Sequence, residues 1–302
     1  MRVAIVGGTR FIGLAVTTAI HRAGHDVLVI HRGVTEPAEL PGVEHLHTDR
    51  HTLGNQLRTW EPDAVIDTYA MTGVDAAAVL AAVPSGVRLV AISSVDVYRA
   101  HGSLHAGLVT DALPVDETAP LRDRPLPYGE DGYEKLDVER VYQSAGATLC
   151  RPAAVYGPRD PQRREGPIID RVVRGDHTIP IGSGNLLWSK TFVDDVGEGV
   201  RLALEADMPG EVFNLAERRT VSMAHWYEWV LEEFDADVRL KRVPSRDLPT
   251  DLRAAGFFGQ HVLFDATKAR QVLGWTETDP REALRRSVHW HVEHPPDVNA
   301  ST

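Results

Sequence analysis

The chain has little cysteine, no long apolar run and no excess of positive charge, and each shortage removes a class of protein. One cysteine, Cys150, stands among 302 residues, so an internal disulfide framework is excluded and a reducing cytoplasm is the expected compartment. No apolar stretch reaches the roughly 20 residues needed to cross a bilayer, so no membrane partner is expected. With a strand read from residue 2, no leader peptide is expected. The formal charge of −11 argues against nucleic acid or an anionic membrane as partner. With 43% hydrophobic and 25% charged residues, the composition is ordinary for a globular protein and agrees with a soluble enzyme.

What is present begins at once. Val3 to Gly13 reads V-A-I-V-G-G-T-R-F-I-G, an apolar strand running into a glycine-rich turn and a helix. The strand carries the turn to a sheet edge, glycines let the backbone approach phosphate oxygens, and the helix aims free N–H groups at the charge. A dinucleotide held by Gly7, Thr9, Arg10, Phe11, Ile12 and Gly13 is expected. Residues 11–23 have helical spacing, Gly24 stops the helix, and 26–30 form a second buried strand. After that strand an NAD site offers a carboxylate to the ribose hydroxyls; this chain has His31, Arg32 and Gly33. The Arg32 fork suits a 2′-phosphate and Arg10 adds a second charge, so NADP is expected, with NAD the alternative.

The alternation continues, with strands at 43–47, 63–68, 87–92 and 147–151 and helices at 53–60, 74–83 and 130–145. This predicts an α/β fold, a Rossmann-type doubly wound parallel sheet with a smaller C-terminal substrate lobe. The dinucleotide domain spans 1–156, its sheet completed by parts of 191–215; segments 157–190 and 216–294 form the lobe, and 295–302 a frayed tail. Segment 157–189, rich in Gly, Pro and Arg, reads as mostly loop. A helix at 196–206, a strand at 211–215, a capped helix at 222–234 and a closing helix at 280–294 follow. Thr68, Tyr69 and Ala70 leave the fourth strand where backbone passes the cofactor's ribose and phosphates.

The motifs G-G-T-R-F-I-G, S-S-V-D-V-Y (93–98), R-P-A-A-V-Y-G-P (151–158), T-F-V-D-D-V (191–196) and L-G-W (273–275) fall in one order. In this the chain resembles the extended short-chain dehydrogenases/reductases, the NAD-dependent epimerase/dehydratase group. The arginine in the glycine loop looks most like the atypical branch that includes chloroplast stem-loop-binding-like proteins. The resemblance implies an oxidoreductase or epimerase acting on a sugar-like or small carbonyl or alcohol substrate, and a homodimer. It places Asp49 and Arg50 at the adenine, and Ser93, Arg151 and Val155 along the cofactor. Ser94 would bond the substrate oxygen being oxidised or reduced, and Lys135 would hold the nicotinamide ribose.

The family's Tyr-x-x-x-Lys spacing is interrupted. In P-Y-G-E-D-G-Y-E-K, aligning Lys135 puts Asp131 at the tyrosine position, whereas aligning P-Y-G selects Tyr128. Tyr133, two residues before Lys135, would point to nearly the opposite face of a helix running through both. Two readings stay open: Tyr128 or Asp131 moves the proton in an active enzyme, or the chain is a catalytically degenerate NAD(P)-binding sensor or interaction protein. On the substrate side, Trp188 stands where relatives carry a diphosphate-gripping arginine, with Lys190 nearby. Asp96 is a spare carboxylate, and Arg159, Arg163 and Arg164 offer a compensating anion site. No metal is assigned: His289 and His291 do not share a helix face, and His45 with His47 reads as a polar strand end.

Overall fold

The computed structural model describes residues 1–104, 107–126, 132–253 and 260–296. The first part alternates β1 (Arg2–Val6), α1 (Phe11–Arg22), β2 (Asp26–His31), β3 (Glu44–His47), α2 (Gln56–Trp60), β4 (Ala64–Asp67), α3 (Gly73–Ala82) and β5 (Arg88–Ile92). Then come α4 (Arg99–Leu104), α5 (Lys135–Ser144), β6 (Thr148–Pro152) and β7 (Ala154–Tyr156). The remainder supplies α6 (Gly166–Val173), β8 (Thr178–Ile181), β9 (Lys190–Phe192), α7 (Val193–Ala206) and β10 (Val212–Leu215). It ends with α8 (Met223–Leu231), β11 (Arg239–Arg242), α9 (Thr267–Val272) and α10 (Pro280–Glu293).

Seven strands form one sheet in the order β10-β6-β5-β4-β1-β2-β3, every neighbouring pair parallel. Continuous apolar runs explain the parallel arrangement: Val3, Ala4 and Ile5 are fully buried, as strands covered by helices on both faces must be. The strand order reverses between β1 and β4, which opens a crevice at their carboxyl ends. Helices α1 and α7 cover one face and touch closely because position 197 is glycine; a Cβ there would lie 2.6 Å from the Ala15 carbonyl oxygen. The T-F-V-D-D-V and L-G-W motifs meet at this helix, where the Trp275 indole donates to the Asp195 carbonyl at 2.8 Å.

The expected architecture is present, with local refinements. Segment 157–189 is loop over most of its length, as expected, but it carries two short elements: Ile168 and Ile169 bury one side of α6, and Ile179 and Ile181 anchor β8. Strand β8 pairs with β11, and β7 with β9, as two small parallel sheets outside the main one. Helix α5 starts at Lys135 rather than 130, because the Glu134 side chain caps the Leu136 amide. Among the described residues no helix is long and apolar enough to cross a membrane.

Candidate active site and cofactor groove

The glycine turn, the ends of β2 and β4, and the segment after β5 line the carboxyl edge of the sheet. Gly7 takes φ +87°, and a Cβ at Gly13 would fall 2.0 Å from the Gly7 carbonyl oxygen, so both glycines fix the tight entry into α1. Arg10 occupies the N-cap of α1 without a side-chain cap. The first-turn amides, Phe11, Ile12 and Gly13, are therefore left to a ligand or water. An anionic phosphate fits this uncapped helix end. Arg10 and Arg32 are exposed, and no described carboxylate pairs with either.

The other expected cofactor residues divide. Thr9 is buried in the turn, and Ser93 sits buried at the end of β5 with no hydrogen-bond partner for its hydroxyl among the described residues. Thr68 donates to the Val6 carbonyl at 2.9 Å, tying β4 to β1, and Tyr69 projects outward, 60% exposed. Asp49 caps the turn at His51. Arg50 instead donates to buried Asp67 at 3.0 Å, and Asp67 also accepts from Tyr142 at 2.6 Å and the Tyr69 amide at 2.9 Å. Arg151 needs correction as well: its guanidinium forks onto Glu139 at 2.7 Å and reaches the Tyr98 hydroxyl, with both ionic partners buried. It braces β6 against α5 rather than facing a ligand. Val155 is buried in the core, and Ala70 offers its carbonyl to Lys135.

Lys135 is buried, and its ammonium donates to the carbonyls of Ala70 at 2.6 Å and Ile92 at 3.3 Å, the trailing ends of β4 and β5. Burial lowers its pKa, against the pull of Asp67 and Asp96. Ser94 accepts from the Asp96 amide at 3.2 Å, so its own O–H proton stays available to a second acceptor. Tyr128 and Asp131 lie outside the described residues. Tyr133, set aside on helix geometry, precedes the helix, and that geometry does not govern it. Its hydroxyl donates to Asp96 Oδ2 at 2.5 Å, and its ring centre is 6.0 Å from Lys135 Nζ. Asp96 is buried and its pKa is raised by desolvation, opposed by the Tyr133 hydrogen bond and the Arg122 and Lys135 charges.

Sequence reasoning also missed Arg122, which binds the Asp96 carbonyl at 3.1 Å and forks onto Glu134, joining the turn after Ser94 to the cap before Lys135. An isolated arginine in a loop carries no local signal of this. Arg159 pairs with Glu39 away from the other two, whereas Arg163 and Arg164, paired with Asp170 and Asp160, both line the cavity that holds Trp188 and Lys190. Trp188 and Lys190 line a cavity of about 860 Å³, together with Met223, Trp226, Tyr227 and Leu248. Lys190 lies 4.5 Å from the Trp226 ring centre, and burial lowers its pKa. His289 and His294 are dispersed onto Glu233 and Trp290, but His45 and His47, which the sequence reads as a polar strand end, meet His31 and Glu36.

The sequence model of the NAD-dependent epimerase/dehydratase family matches residues 3–112 and 74–216, and the chain belongs to that family. A 2′-dehydrokanamycin reductase from Streptomyces kanamyceticus is 30% identical over 88% of this chain and 76% of its own. Chloroplast stem-loop binding protein of 41 kDa b from Arabidopsis thaliana is 26% identical over 95% of this chain and 78% of its own. The fold matches that of UDP-glucose 4-epimerase from Stenotrophomonas maltophila, solved with bound NAD and a formylated UDP-arabinopyranose. The TM-score is 0.75, at 18% identity over 97% of this chain and 98% of that one. The family is NAD(P)-dependent, and the proteins similar to this chain include reductases and epimerases beside the stem-loop binding protein.

Proposed function

We propose that the protein is an NADP-dependent reductase of a ketone on a sugar-like ring, with Ser94, Tyr133 and Lys135 as its catalytic residues and Asp96 holding the Tyr133 hydroxyl in place. The amides opening α1 would hold the pyrophosphate, Arg32 and Arg10 the 2′-phosphate, and Lys135 the nicotinamide ribose. The bound cofactor supplies hydride. Ser94 donates a hydrogen bond to the carbonyl oxygen, and Tyr133, whose O–H rests on Asp96 Oδ2, turns to give that oxygen its proton, the phenolate then taking one from water. Trp188, Trp226 and Tyr227 offer apolar faces to a ring, and the reductase name of the Streptomyces relative accords with such a substrate.

The contact between Tyr133 and Asp96 beside Lys135 carries this reading. The test follows NADPH and NADH oxidation with a panel of keto-sugars and simple ketones. Tyr133→Phe is expected to lower kcat by about 10²- to 10⁴-fold, the usual worth of a general acid, with Tyr128→Phe near wild type. The reverse pattern would sink the assignment of Tyr133.

A further inference from the structure

In the parallel pair of β2 and β3, His31 stands beside His47 and Val29 beside His45. Alternation along a strand therefore sets His31, His45 and His47 on one face. The loop between the strands returns Glu36 to them: its Oε1 lies 2.7 Å from His47 Nε2, 3.5 Å from His31 Nε2 and 3.9 Å from His45 Nδ1. His31 Nε2 and His45 Nδ1 are 2.8 Å apart, and all four donor atoms lie within 4.8 Å of one another.

We propose that His31, Glu36, His45 and His47 bind one divalent cation of the zinc class. A tetrahedral ion with bonds of about 2.0–2.1 Å separates its ligands by about 3.3 Å, and the observed spacings bracket that edge. Three imidazole nitrogens and one carboxylate suit Zn²⁺ rather than the all-oxygen shells of Mg²⁺ or Ca²⁺. Four protein donors close the coordination sphere, which is the pattern of a structural site. Its place agrees: β2 is three strand positions from β5, roughly 14 Å across the sheet from Ser94.

Such an ion would staple the loop that begins with Arg32 and contains Glu39, the partner of Arg159 in the second lobe at 2.5 Å. Ligation through His31 Nε2 places the ring proton on Nδ1. The 3.2 Å bond from the Gly33 amide to Nδ1 then belongs to the metal-free form.

The experiment uses untagged full-length protein, counting bound Zn²⁺ after dialysis and following Co²⁺ titration by visible absorption. One equivalent per chain with four-coordinate Co²⁺ bands is expected. The variant His47→Asn/Glu36→Gln should bind more than ~100-fold more weakly, beyond what loss of an outer-sphere partner costs. Both side chains are half-exposed, so the variant keeps its fold, and a melting curve checks this. Zn²⁺ should raise the wild-type melting temperature and leave that of the variant unmoved, while His289→Asn binds as wild type. No stoichiometric equivalent in the wild type, or equal binding by the double variant, overturns the site.

Discussion

Glu165 is fully buried, with Ser287 donating to Oε1 at 2.9 Å and no hydrogen-bond partner for Oε2 among the described residues. Burial, with the Asp160 charge adding to it, pushes its pKa to about 7 from an ordinary 4.5. The folded chain therefore binds this proton more tightly than the unfolded chain does. Its stabilising effect is complete below pH 4.5 and is lost as pH rises through 7. Linkage over that shift gives a total near 3 kcal/mol, most of which disappears between pH 5 and pH 8. Glu165→Gln mimics the neutral acid and removes the dependence. Denaturant unfolding of both proteins at the two pH values should show the variant gaining about 2–3 kcal/mol on wild type between pH 5 and pH 8. Buried Asp195 and Glu217, whose pKa values are also raised by burial, are common to both proteins and cancel in the difference, whereas His291, 3.9 Å from Glu165 Oε2, titrates with it and belongs to the measured change. A relative gain below about 1 kcal/mol, or one of opposite sign, would refute the claim that this carboxyl is held protonated.

Arg32→Ala should weaken NADPH binding by about 10- to 100-fold, the value of charge-assisted hydrogen bonds, and leave NADH binding nearly unchanged; calorimetry with both cofactors decides it. Gly197→Ala should cost at least 1–3 kcal/mol, because the new methyl would meet the Ala15 carbonyl oxygen at 2.6 Å, and this backbone cannot move aside cheaply. A thermal melt within error of wild type would show that α1 and α7 are less tightly set than the structure has them.

The sheet was legible in the sequence because its strands are short apolar runs between helices of regular period, as in Asp26–His31 and Ala64–Asp67. The glycine turn was legible because only glycine fits where a Cβ would strike backbone, as at Gly13. The second lobe was harder to read. Proline, glycine and arginine flank the apolar positions of α6, and β8 and β11 find each other across a separation that no local pattern records. The same distance in sequence hid the roles of Arg50, Arg151 and Arg122. Each has a carboxylate partner, Asp67, Glu139 or Glu134, brought near only by folding. Glu36 joined the histidines for the same reason: its loop has no periodicity, whereas His45 and His47 announce their shared face by alternation.

The catalytic spacing teaches a narrower lesson. A Tyr-x-x-x-Lys rule assumes that both residues ride one helix, so that four positions bring them to the same face. Here α5 begins at Lys135 itself, and Glu134, gripped by Arg122, serves as the cap. Tyr133 is thereby released from helical register and turns toward Asp96. Spacing in sequence constrains side-chain direction only inside regular structure. At a helix start the cap decides it, and the cap in this chain depends on an arginine from the preceding loop.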